Sequence, residues 1–278
     1  MNRVLIKRSI LDSWALLVGC AVMLAAFVCV RVWFASKIEV DALLKLFSGG
    51  LKVFENLLPV SIEDLASPLG RAAFGFEELP TILLLGLWTV SRGSECLAGR
   101  VGSGTMEMLL AQPVHRLTVV TSHTAVTLAG VVALGLAGWL GTGLGLEVSA
   151  FELPPAWSAV APAVVNFIGL GVFQIGAATF VAALARTRAQ AVAIVIGVYV
   201  VELALMIVSR ISASSEWLGN FTYMSAYEPT FLTIGVTRDG ATHWPIFWQY
   251  NLCLFGLGAA LLAAAATIFC RRDVPAPL

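Results

Sequence analysis

Charge is what this sequence has least of: Asp, Glu, Lys and Arg make up 12% of its 278 residues, about half the share of an ordinary soluble domain. Apolar residues make up 59%. A soluble fold has too little interior to hide that much hydrocarbon, so lipid must be the solvent for most of the chain. Histidine is scarce too, with three residues and none at metal-ligand spacing. The five cysteines, Cys20, Cys29, Cys96, Cys253 and Cys270, include no Cys-x-x-Cys pair, and all but Cys96 lie in apolar stretches. They read as free thiols acting as small hydrophobes. Also missing is any Gly-x-x-x-x-Gly-Lys-Ser/Thr loop to hold nucleotide phosphates, which excludes ATP hydrolysis by the chain itself. The 17 basic and 17 acidic residues cancel, so the total gives no sign of a nucleic-acid partner.

What is present is a series of long apolar runs. A spanning helix needs about 20 mostly apolar residues, and six such spans fit at about 14–34, 69–91, 118–140, 159–184, 189–208 and 248–270. The expected fold is all-α: a single polytopic transmembrane domain over 1–278 with short amphipathic interfacial helices. The first run lacks an Ala-x-Ala-like cleavage site and continues to Phe34, so it is expected to be a retained helix; Arg31 sits near enough to its end to snorkel. The second is awkward. Its clean apolar stretch, 79–90, would rise only about 18 Å, so the span must start near Leu69, which brings Glu77, Glu78 and a kinking Pro80 into its outer part.

The loops fix an expected orientation. With the N-terminus inside, the inner segments hold Arg3, Lys7, Arg8, Arg92, Arg100, Arg116, Arg186, Arg188, Arg271 and Arg272, against six basic residues outside. By the positive-inside rule both termini face the cytoplasm. The outer segments are then 35–68 and 209–247. The first shows apolar residues at helical spacing over 40–47 and 51–58, which predicts short helices at the interface. Phe47-Ser48-Gly49-Gly50-Leu51 there superficially looks like the signature loop of an ATP-binding cassette, but it lies on the outer side and reads as a helix-ending glycine pair. The second outer segment carries Trp217, Phe221, Tyr223, Tyr227, Phe231, Trp244, Phe247 and Trp248, the composition of an aromatic belt.

The longest inner stretch, 91–117, is the most informative. A short helix is expected over 95–100, broken by Gly102 and Gly104, and another over 105–112, ending before Pro113. Thr105 is placed to cap this second helix through its backbone N–H groups, and Glu107 suits its N-terminal dipole. Met106, Leu109 and Leu110 share one face, a shape suited to docking on a peripheral protein.

Glu95, then Gly104-Thr105-Met106-Glu107-Met108-Leu109-Leu110, then Pro113 and Arg116 resemble the segment after the second span in permeases of the ABC type-2 exporter superfamily. The six spans, the large segment before the last of them and the terminal Phe269-Cys270-Arg271-Arg272-Asp273-Val274 are similar to that family as well. The resemblance implies a transmembrane half-transporter in the inner (plasma) membrane. It would pair with a second permease copy and recruit two copies of a separate subunit that binds ATP and Mg. It also implies that Glu95, Arg100, Gly104, Thr105, Met106, Glu107, Leu109, Leu110, Pro113 and Arg116 form the coupling element on which that ATPase pushes.

Polar residues at membrane depth each ask for a reason. Glu202 is expected either to pair with Arg210 or Arg31 or to line the conduction path. Glu77 and Glu78 flank the kink, at the interface or on the path. Asn166, Gln174 and Thr179 give the fourth span a polar side facing the bundle or the dimer seam, Asn166 and Gln174 join Glu77, Glu78 and Glu202 as candidates for the translocation path, and Gly141, Gly145, Gly169 and Gly176 permit close helix approach. An ion-coupled secondary transporter, an intramembrane enzyme and a membrane scaffold are the competing classes. The first lacks clear inverted repeats, and the second lacks a convergent catalytic constellation.

Overall fold

A computed structural model describes residues 3–38, 58, 60–111, 115–211 and 213–271. The helix expected at 40–47, residues 51–57 of the one expected at 51–58, the Gly49-Gly50 pair, Pro113 and residues 272–274 lie outside the described residues. Six helices are long and apolar enough to cross a membrane. With no water in hydrocarbon to satisfy N–H and C=O groups, such runs close all their backbone bonds internally as helices.

The chain opens with α1 (Arg3–Leu11), lying at one end of the bundle, and turns into the first span, α2 (Trp14–Ser36). We call the end that carries α1 and the last described residue, Arg271, the proximal end. At the distal end come α3 (Ile62–Ala66) and α4 (Pro68–Ala73), capped by Ser61 on Asp64 N and by Ser67 on Gly70 N. A 3-10 turn (Phe74–Phe76) comes next, then α5 (Leu79–Ser94) with Pro80 in its first turn. Where a kink was expected there is a break. Glu78 leaves the helical region at ψ 143°, because a residue two before proline and next to the N-terminus of α5 is free to extend. Arg31, expected to snorkel, is turned to this break: its Nε lies 2.6 Å from Glu78 Oε1 and its guanidinium sits over the Phe74 ring.

After α5 come the short hairpin helix α6 (Thr105–Leu110), then α7 (Arg116–Glu147), α8 (Ala161–Leu184) and α9 (Arg188–Ile211). The chain then runs through 3-10 turns to α10 (Pro229–Arg238) and the final span α11 (Gly240–Arg271). The third and sixth spans thus extend beyond 118–140 and 248–270, the sixth absorbing Trp244, Pro245 and Phe247 from the segment expected to lie outside. The aromatic belt divides accordingly. Trp217, Phe221, Trp244 and Trp248 are exposed, whereas Tyr227 and Phe247 are buried. Tyr227 donates its hydroxyl to Phe76 O. α10 is largely buried, packed on α4, α8 and α11.

α8 is the most buried span and α9 the least. Close approach by small residues makes this packing possible. A Cβ at Gly176 would stand 2.5 Å from Gly258 O on α11, and one at Gly141 2.4 Å from Ala25 O on α2, with Gly145 placing its own 2.8 Å from Cys29 O one turn on. Backbone against backbone has nothing flexible to yield. Gly176→Val or Gly141→Val should therefore destabilise the bundle by about 1–3 kcal/mol, read as a lower melting temperature in detergent. By contrast Gly197→Val, where nothing lies within 4 Å, should melt like the parent.

Ion pairs tie the distal segments. Arg238 on α10 pairs with Asp64 on α3, and Arg210 at the end of α9 lies 2.5 Å from Glu228. Hydrogen bonding to Arg238 holds the Asp64 carboxyl below its usual range. That tie is present at neutral pH and is lost only as acid protonates Asp64 through its lowered pKa. Burial pushes the Glu228 carboxyl up. Its burial thus weighs against the folded state above its raised pKa, and the Arg210 pair offsets part of that cost.

Candidate functional site

The proximal hairpin begins inside the membrane. α5 does not stop at residue 91 but continues through a π-turn (Glu95–Gly99) into Arg100–Gly102. The helix expected at 95–100 is therefore the tail of the second span, which ends at Gly102 and reverses at Gly104, where the break was expected. A π-turn inserts one extra residue into a helix and rotates the residues after it about the axis. Gly99 makes room for it, since a Cβ there would meet Glu95 Oε2 at 2.5 Å. The Glu95 carboxylate in turn reaches Arg188 Nη1 at 3.0 Å, and Arg188 Nη2 donates to Ser91 Oγ at 3.0 Å. The first residue of α9 is in this way clasped to the tail of α5.

The reversal into α6 rests on Gly104, whose φ of 70° is the left-handed conformation that costs glycine nothing. Thr105 does not cap α6 as expected. Its hydroxyl contacts Ser103 Oγ at 2.9 Å and donates to Arg100 O at 3.3 Å, closing the end of the preceding helix instead, because Gly104 already occupies the cap position.

α6 is anchored by one face. Met106 is 0% exposed among Cys96, Leu97, Val119, Ala182 and Phe269, and Leu109 packs on the same cluster. Glu107 and Met108 point away, Met108 at 74% exposed. Arg116 is committed to the bundle: its Nη1 donates to Phe269 O at 3.4 Å and its guanidinium sits over the Phe269 ring. A cation near the C-terminal carbonyls of α11 is favoured by that helix's dipole. Arg92, expected in an inner loop, is 5% exposed and donates Nη2 to Ser9 Oγ at 2.7 Å, which pins α1 under the bundle. Sequence reading missed Ser9, Arg92 and Arg188 as members of this site. The signal for Arg92 was its helical spacing from Trp88 and Glu95 with no proline between.

The five polar residues expected to line a path do not meet. Asn166 donates to Ala226 O at 3.0 Å and to Asn251 Oδ1 at 3.4 Å, and Gln174 accepts from Thr89 Oγ1 at 2.8 Å; both are buried between helices. Glu202, expected to pair with Arg210 or Arg31, accepts from Tyr223 N at 3.2 Å, while those arginines pair with Glu228 and Glu78. Glu77 caps α10 from a distance, taking the Thr230 N–H at 2.9 Å.

Among curated proteins none matches the chain. The protein-family model described as "ABC-2 family transporter protein" matches residues 7–274, nearly the whole sequence and all six spans. A membrane bundle with a hairpin anchored at its proximal end agrees with that match: the chain belongs to the ABC-2 transporter family and is a transmembrane permease component of an ABC transporter, which implies association with an ATP-binding subunit.

Proposed function

We propose that this permease is an exporter subunit, a transport component rather than an enzyme, and that residues 95–116 are the element through which a separate ATPase drives it. The observation that carries this is mechanical. Glu107 and Met108 project from a short helix whose other face is locked by fully buried Met106, and the hairpin is the direct continuation of the helix that ends at the distal break. A push on α6 is thus passed across the Gly104 reversal to the helix that begins beside Glu77 and Glu78, where Thr230 and Arg31 hold the other end. In this reading Glu107 and Met108 make the contact. Glu95, Gly104, Thr105, Met106, Leu109 and Arg116 set its position.

The proximal end then faces the cytoplasm of the inner (plasma) membrane, as the basic residues there favour. The permease works as a dimer with two ATPase copies, which bind the ATP and Mg. Glu77, Glu78 and Glu202, at the distal break and on the least buried span, are the polar residues closest to a path between permeases, whereas Asn166 and Gln174 serve packing.

Co-expression with its cognate ATP-binding subunit tests the reading. The double variant Glu107→Lys, Met108→Ala should melt like the parent yet lose about tenfold or more in co-purification of the ATPase. Retention of the ATPase by that variant would reject the assigned contact surface, and transport by the permease alone in an ion gradient would reject the ATP-driven reading.

A further inference from the structure

At the proximal end α1, the tail of α5, α6 and the start of α9 enclose a cavity of about 580 Å³. Its charged lining is four guanidinium groups, Arg8, Arg92, Arg100 and Arg188, against two carboxylates, Asp12 and Glu95. Both carboxylates are engaged. Arg188 holds Glu95 at 3.0 Å and Arg8 lies 3.9 Å from Asp12. Arg92 and Arg100 are the excess, and among the described residues neither forms an ion pair. Arg92 is 5% exposed, and although its Nη2 reaches Ser9, its Nε is buried with no acceptor.

A buried guanidinium with an unmet N–H, beside a second cation without a counter-charge, is costly unless an anion completes it. The planar fork of arginine suits an oxyanion, carboxylate or phosphate. The rest of the lining chooses between sources. Leu5, Leu16, Met108 and Leu109 give the cavity an apolar side, which a small free anion does not need and an acyl chain does. Ile10, Leu11 and Trp14 are exposed beside it on α1 and the start of α2, and this places the mouth at the depth where headgroups meet hydrocarbon.

We infer that this cavity binds the phosphate headgroup of an anionic phospholipid from the adjoining leaflet. Arg92 and Arg100 take the phosphate, and the first part of an acyl chain runs along Leu5 and Leu16. Glu95, Thr105 and Met108 belong to the same walls, so the lipid braces the hairpin from the membrane side. Naming the leaflet as cytoplasmic rests on the proposed orientation; the binding itself does not.

Native mass spectrometry of the full chain in mild detergent tests this, titrating phosphatidylglycerol, phosphatidylcholine of the same chains, and inorganic phosphate. The expected result is phosphatidylglycerol bound about tenfold more tightly than phosphatidylcholine. Arg100→Gln, a side chain that bonds nothing else among the described residues, should erase most of that preference, and Arg186→Gln, an exposed arginine outside the cavity, should retain it. Arg92→Gln serves as the second variant and should behave like Arg100→Gln. Equal affinity for both lipids, or a preference unchanged in Arg100→Gln, overturns the inference. Inorganic phosphate binding as tightly as the lipid overturns the lipid source. Loss of the ATPase subunit by Arg100→Gln with lipid binding intact shows that the cavity receives a partner's carboxylate, and overturns it as well. The titration contains no ATPase, so its failure leaves the exporter reading standing, and the reverse holds.

Discussion

Replacing Gly104 by valine is expected to cut ATP-driven transport by tenfold or more while leaving the membrane bundle folded. At φ 70° an L-residue costs about 1–2 kcal/mol, and a β-branched one more. The hairpin relieves that strain by changing its turn, because nothing covalent holds α6 except this glycine and the chain on either side. The anchor at Met106 then leaves its place among Cys96, Leu97 and Phe269, and Glu107 and Met108 no longer project where the ATPase meets them. Asparagine tolerates the left-handed region far better than valine, so Gly104→Asn should retain most transport. The measurement is transport in proteoliposomes with the ATPase subunit, beside a melting curve of the permease. A Gly104→Val protein that transports normally would show that the hairpin's geometry is not what couples the subunits.

The sequence showed the spans because lipid imposes a simple rule: about 20 apolar residues, and all six long runs became helices. It showed the hairpin's place, but not its build. Residues 95–100 read locally as a separate short helix, yet they continue the second span through a π-turn that the Glu95–Arg188 pair clasps from outside, a contact between residues 93 apart in sequence number that no local pattern reveals. Thr105 closes the preceding helix rather than its own for a related reason. Capping propensity tells which residue satisfies orphan backbone groups, but only the reversal at Gly104 decides whose groups they are. Arg92 and Arg31 read as interfacial cations because charge belongs at the edge of a membrane. Both are largely interior, each held by one partner from a distant segment, Ser9 and Glu78, and each keeps one buried N–H group without an acceptor.

These interior arginines share a mechanical role. Arg92 holds α1 at the proximal end of the second span and Arg31 holds its distal break, so the helix that carries the hairpin is fastened at both ends to the first two elements of the chain. A lever needs such fixed points, and the distal one is the more exposed to test because both partners are ionised side chains.

Glu78→Ala is accordingly expected to destabilise the permease by about 3 kcal/mol. The Arg31 side chain is 13% exposed and already has Nη1 buried without a partner; removing its carboxylate leaves an uncompensated charge at membrane depth, the case in which breaking a buried pair costs about 3–5 kcal/mol. Because Glu78 is itself 26% exposed, the lower end of that range applies. Removing the charge as well should restore what was lost. The double variant Arg31→Met, Glu78→Ala should recover most of the melting temperature, since a hydrophobic side chain over Phe74 costs no desolvation. Stability and function then separate. If the pair only supports the fold, the double variant transports like the parent. If it is the distal fixed point of the lever, the double variant melts normally but couples ATP hydrolysis to transport several-fold less well. Equal melting curves for parent and Glu78→Ala would show that water reaches Arg31 and that the break is not held by this pair.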